Sequence, residues 1–319
     1  MLINIDMSDI ILHHYPTSPF SEKIRVVLGY KKLAWKSVII PALMPKPDVV
    51  ALTGGYRKTP FLQIGSDVYC DSALICEVLE DLQPTPTLYP AQQRGLARIL
   101  AQWADSTLFW AAMAYSLQAK GAAAMFEGAP PEAAKAFGAD RAAMSAGMTR
   151  LRPGDATAAY KSYLRRIASM LDGQNFLLGS APCVADFAAY HPLWFSRVRV
   201  PVMAGVLDAT PSVLTWMDRM AALGHGPTEK STAAEAIAVC AASANSTLAN
   251  DTWFQDEHGI PLGSRVTVAA ETFGQETTEG ELLAATRTRY TLRRVDPRAG
   301  TVQVHFPRIG YVLKACLPA

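Results

Sequence analysis

The sequence predicts an α/β domain of order β-α-β-α-β-β-α, followed by an all-helical domain and then a small antiparallel β unit. Three observations carry that reading. Up to residue 83, short apolar runs rich in β-branched residues alternate with segments of helical period. Past a proline-rich linker at 84–90, the chain turns rich in alanine and leucine. From about residue 237, glycine, threonine and a two-residue alternation take over. Domains of 1–83, 91–236 and 237–319 follow.

A chain of 319 residues, 50% of them hydrophobic, exceeds one ordinary domain and can bury a sizeable core. Its net charge of +2 gives no electrostatic reason to expect nucleic acid or an anionic membrane. The five cysteines, Cys70, Cys76, Cys183, Cys240 and Cys316, form no C-x-x-C pair and have no histidine at zinc-finger spacing. This argues against a disulfide framework and a structural metal, and fits a reducing cytoplasm. MLINIDMSDI lacks a basic leader followed by a long apolar run, and no segment approaches the roughly 20 apolar residues of a membrane span. The expectation is a soluble, unexported, cytoplasmic protein.

In order, Asp9 to His14 reads as the first strand, and Ile24, Val27, Leu28 and Lys31 recur at helical spacing. Between them lies YPTSPFSEKIR, Tyr15 to Arg25. Ser18 falls at a natural N-cap with Pro19 at the first helical position, where a missing N–H costs nothing. Free N–H groups and the helix dipole favour an anion there, and would stabilise a thiolate. Taken alone, simple capping is the commoner explanation of the same residues. Trp35 to Ile40 is the second strand, Pro41 to Pro47 a loop, and Val49 to Leu52 a short helix ended by Thr53-Gly54-Gly55. Thr59 to Ile64 and Val68 to Cys70 flank Gly65-Ser66-Asp67 as a hairpin. Asp71-Ser72 opens a helix over 73–82 with Leu74, Ile75, Val78 and Leu79 on its apolar face.

The helical domain reads as one long helix over 92–126, a second over 132–148 after Pro130-Pro131, and a third over 156–171. Cys183 to Asp186 has capping-box spacing with cysteine in place of Ser or Thr, which predicts a weakly capped helix start and a structural Asp186. An alanine-rich helix over 231–248 precedes strands at 265–270, 283–295 and 301–306, the last two joined by a turn at Asp296 to Gly300. A barrel or curled sheet is expected. Arg287, Arg289 and Arg293 share one face of the long strand, near Arg294 and Arg298; without interleaved aromatic residues this reads as a solvated face.

The element order over some 80 residues, with SPFSEKIR, the tract Arg57-Lys58-Thr59-Pro60-Phe61-Leu62 and Asp71-Ser72 before an apolar helix, resembles the thioredoxin-like N-terminal domain of cytosolic glutathione S-transferases. SPFSEKIR is similar to the serine-type corner of the tau class, and the helical block is similar to the family's C-terminal domain. The resemblance implies a cis Thr59-Pro60 bond, with Thr59 pairing its backbone to glutathione laid alongside as a strand. Asp71 and Ser72 would take the γ-glutamyl head, and Lys58 the carboxylate at the other end. Ser18 would hold the sulfur as thiolate, lowering a thiol pKa that starts near 8.5. Ser21 is the other candidate, and Tyr15 a third. No cysteine stands at the corner, which speaks against glutaredoxin-like thiol transfer.

Trp110 and Met113 on the long helix are candidates to line an interdomain pocket for an apolar electrophile, although an aromatic stripe at this spacing also makes ordinary core. The first expectation is therefore a glutathione S-transferase conjugating glutathione to a small apolar substrate, a detoxifying reaction, with isomerase or peroxidase activity left open. The resemblance also implies a homodimer. The alternative is a non-catalytic scaffold of the same fold whose C-terminal β unit binds a partner.

Overall fold

Ile10, Ile11 and Leu12 are all buried in β1 (Ile10–His14), because this strand has a core on each face. Ile10 and Leu12 pack beneath the helices, while Ile11 faces the opposite core. A strand covered on both sides shows no polar alternation, which is why it reads as a continuous apolar run. The structure, a computed structural model, describes residues 10–244 and 257–316. Asp9, expected to open this strand, lies outside the described residues.

The N-terminal order is as expected: α1 (Pro19–Tyr30), β2 (Trp35–Ile39), α2 (Pro47–Thr53), β3 (Phe61–Ile64), β4 (Asp67–Cys70) and α3 (Ser72–Leu82). β1 runs parallel to β2 and antiparallel to β3, which in turn pairs antiparallel with β4. The helical domain follows as α4 (Arg94–Trp103), α5 (Phe109–Ser116), α6 (Ala119–Met125), α7 (Pro131–Met144), α8 (Pro153–Met170), α9 (Val184–Trp194) and α10 (Pro211–Ala221).

The single helix expected over 92–126 is divided. A π-helical turn at Ala104–Leu108 separates α4 from α5, and the chain breaks again at Leu117-Gln118. The π turn carries Asp105 inward to buried partners, a common use of such an irregularity. The weak start expected for α9 is also corrected. Asp186 accepts the Cys183 N–H at 3.0 Å, the Leu177 N–H at 2.8 Å and the Trp216 indole N–H at 2.9 Å, so one buried carboxylate caps α9 and ties it to its neighbours.

β5 (Thr228–Ser231) pairs parallel with β2 and leads into α11 (Ala233–Ala242); the remainder of the helix expected to 248 lies outside the described residues. Then come β6 (Arg265–Ala270), β7 (Thr278–Ala285), β8 (Arg289–Asp296), β9 (Gly300–Pro307) and β10 (Tyr311–Ala315). These five pair antiparallel with one another, as expected. They do not close into a barrel. β9 runs parallel to β4, so all ten strands form one open sheet in the order β10-β6-β7-β8-β9-β4-β3-β1-β2-β5.

At that seam His305 bonds Asp67 at 2.7 Å and Thr291 at 2.9 Å and stacks on Tyr69. The strand expected over 283–295 is two strands. Thr286 turns the chain by accepting the N–H groups of Thr288 and Arg289, so Arg287 leaves the face it was expected to share with Arg289 and Arg293. Arg293 pairs with Glu281 and Arg298 with Asp48, both at the exposed surface, as expected of a solvated face.

Candidate functional site

Ser18 sits where the extended backbone leaving β1 becomes α1, with φ −76° and ψ 125°. As N-cap its oxygen accepts the Ser21 N–H at 3.2 Å, so its own O–H is left to act as a donor, to Tyr15 or to a group in the cavity. Ser18 lines a cavity of about 570 Å³. Ser21, one turn on, is fully buried, does not line the cavity, and its hydroxyl finds no partner among the described residues. Tyr15 does line it, with its hydroxyl within hydrogen-bonding reach of Ser18 and 3.4 Å from the Arg141 guanidinium. Burial pushes the Tyr15 phenol up despite that cation.

Thr59 and Pro60 form another wall, and the bond between them is cis, as the resemblance implied. Neither the backbone groups nor the buried hydroxyl of Thr59 find a partner among the described residues. An unpaired stretch beside a cavity is the edge on which an extended peptide can add as a strand. Asp71 and Ser72 complete that side. Asp71 adopts φ 79°, caps α3 by accepting the Ala73 N–H at 2.9 Å, and donates its own N–H to the Tyr56 hydroxyl at 3.1 Å.

The Ser72 hydroxyl accepts from the Lys23 ammonium at 3.0 Å, and Lys23 in turn holds Asp105 at 2.5 Å. Asp105 reaches His191 at 3.0 Å. This buried chain links α1, α3, the π turn and α9. Burial lowers the Lys23 pKa and raises that of Asp105, but the neighbouring charges and hydrogen bonds together reverse both shifts, Asp105 foremost for Lys23, and Lys23 with His191 for Asp105. The pair stays charged inside the protein. His191 is thus a buried bonding partner within α9, and burial keeps its pKa low.

Lys58 lies between the Tyr56 and Tyr311 rings, at 5.5 and 4.7 Å from their centres, with no ion pair among the described residues. Burial lowers its pKa, and Asp71 only partly offsets this. Lys46 also lines the cavity. Its ammonium donates to the Arg57 carbonyl at 3.1 Å, and burial, with Arg141 adding to it, brings its pKa down to about 8. Arg57 is neutralised by Asp140 and Glu276, each at 2.5 Å. Desolvated ammonium groups without carboxylates suit this end of the cavity to an anion. The other end is apolar: Trp110 and Met113 both line it, with Phe109, Met125 and Phe137.

The structure therefore brings Ser18, Lys58, Thr59, Pro60, Asp71, Ser72, Trp110 and Met113 around one cavity and leaves Ser21 outside it. Sequence reasoning missed Lys46, Tyr56, Arg141, Phe273 and Tyr311, which also line it. Only the helical period could have signalled Arg141; nothing local marks the others.

Known proteins share the sequence and fold of this chain. The family model of the glutathione S-transferase N-terminal domain matches residues 12–87, and that of its C-terminal domain matches residues 154–223. FtsZ-localized protein A of Caulobacter vibrioides is 28% identical over 185 residues, 56% of this chain and 73% of that protein. Pyrimidodiazepine synthase of Drosophila melanogaster is 34% identical over 76 residues, 23% of this chain and 31% of that protein. The crystal structure of a GST-like protein from Pseudomonas syringae is 40% identical, covers 97% of this chain and 100% of its own, and superposes with a TM-score of 0.81. That likeness extends over nearly the whole chain, the C-terminal strands included: the chain belongs to the glutathione S-transferase-like family.

Proposed function

We propose that the protein binds glutathione along Thr59, with its γ-glutamyl head at Asp71 and Ser72 and its glycyl carboxylate toward Lys58, and conjugates its thiolate to an apolar electrophile held by Trp110 and Met113. The observation that carries this reading is the Ser18 hydroxyl at the mouth of α1, which lines the same cavity as the unpaired Thr59. A helix N-terminus and a hydroxyl donor both favour the thiolate over the thiol, so Ser18 acts by stabilising charge and not as a covalent nucleophile. The enzyme is then of the serine type, tau-like at this corner, with Tyr15 placed to support the hydroxyl. Positioning supplies the rest of the rate.

In cells we place it in the cytoplasm as a detoxifying homodimer. Turnover of 1-chloro-2,4-dinitrobenzene with glutathione tests the reading: activity lost in Ser18→Ala and kept in Ser21→Ala supports it, and a protein not retained on immobilised glutathione refutes it. The second reading is a binding protein without turnover, supported by the similarity to a protein named for localising with FtsZ. Retention on glutathione with no conjugation would favour that reading.

A further inference from the structure

We propose that the C-terminal strands complete the glutathione site, with Tyr311 as a positioning residue for Asp71 and Lys58, and Phe273 as part of the apolar wall met by the substituent on sulfur. The proposal rests on the glutathione-binding reading above. Tyr311 opens β10 at the far edge of the sheet, yet its hydroxyl donates to Asp71 Oδ2 at 3.0 Å and its ring is one of the two that flank Lys58. Asp71 Oδ1 is already fixed by the Ala73 N–H. The two bonds together set the plane of the carboxylate and leave lone pairs on both oxygens for an incoming ammonium. Without Tyr311 that carboxylate loses a donor and Lys58 loses one face of its aromatic bracket.

Phe273 lies on the connection between β6 and β7, with its ring centre 5.1 Å from that of Trp110. That connection is fastened to the rest of the molecule on every side. The Gly274 N–H donates to the Met144 carbonyl at 2.9 Å, Glu276 pairs with Arg57, and Thr278 donates to the Thr53 carbonyl at 2.9 Å. Gly55 admits it: a Cβ there would stand 2.0 Å from the Thr277 carbonyl oxygen. A segment so anchored, with an aromatic ring on the cavity, presents a fixed wall and not a passing contact.

Isothermal titration of the full chain with glutathione, S-methylglutathione and S-hexylglutathione tests this, alongside a thermal melt of each variant. Tyr311→Phe removes only the hydroxyl, and since a hydrogen bond to a charged group is at stake, glutathione affinity should fall roughly tenfold or more. If turnover is present, KM rises in the same ratio while kcat holds. Phe273→Ala should cut the preference for the hexyl over the methyl derivative by roughly tenfold, because apolar area is lost from the wall. A lowered melting temperature with unchanged Kd values would mean these residues only fasten the C-terminal strands, and would overturn the proposal while leaving the glutathione reading intact. Wild type that does not bind glutathione overturns both. Should Tyr311→Phe fail to fold, the Phe273→Ala preference decides alone, and an unchanged ratio overturns the proposal.

Discussion

Replacing Ser18 by alanine removes one hydroxyl from the mouth of α1, and its effect can be worked through in advance. Ser18 accepts the Ser21 N–H, and a bound sulfur would compete with the Tyr15 hydroxyl for the one proton it can donate. A hydrogen bond to a charged partner contributes about 1.5–3 kcal/mol. At about 1.4 kcal/mol per pKa unit, its loss raises the bound thiol by roughly one to two units. A thiolate is present above its pKa, so activity in both proteins falls as pH falls, and the variant's fall begins one to two units higher. Near pH 7, kcat/KM with 1-chloro-2,4-dinitrobenzene should drop roughly 10- to 100-fold, and the gap should narrow as pH rises.

Loss of the cap also costs about 1 kcal/mol of stability, seen as a modest shift in the urea midpoint. A profile of kcat/KM against pH that superimposes on the wild type would refute the role given to Ser18. The same shift appearing in Ser21→Ala would transfer it to the neighbouring hydroxyl.

Acidification should destabilise the fold through His13 and His14, which burial holds at about 4 and about 3, with Arg25 adding to the effect at His14. Both are depressed, so the unfolded chain binds protons first: the stability is full above about pH 6.5 and is lost as pH falls to 4 and then 3, about 3 kcal/mol from His13 alone. Urea midpoints measured across that range should show the slope, and His13→Gln should remove roughly one proton from it. Asp105→Asn leaves the Lys23 ammonium buried without its carboxylate, and should lower stability by about 3–5 kcal/mol by denaturant unfolding; a change under 1 kcal/mol would show that the pair is not dry. Gly55→Ala drives a Cβ into the Thr277 carbonyl, so it should cost about 1–3 kcal/mol and speed proteolysis of the C-terminal strands. Unchanged proteolysis would mean the connection between β6 and β7 yields freely.

Local chemistry determined much of this protein. The strand-to-helix corner at Ser18-Pro19, the hairpin around Gly65 and the cap at Asp71 each depend on residues within one turn of one another, and all stand where the sequence puts them. Elements with weak local signals were missed. β5 is polar and largely exposed, so it carries no alternation to detect, and it becomes a strand only because β2 offers an edge.

Distant pairing was decided by the tertiary structure alone. Hydrophobic period shows that a strand has a buried face but not which edge receives it, so the parallel seam of β9 on β4 has no signature in either strand. Lys23 with Asp105, and Tyr311 with Asp71 across 240 residues, are ordinary charged and aromatic residues until the fold strips them of water together. There a charged or polar group and its distant partner hold each other far more strongly than they would in water, and contacts invisible in the chain fix the groups around the cavity.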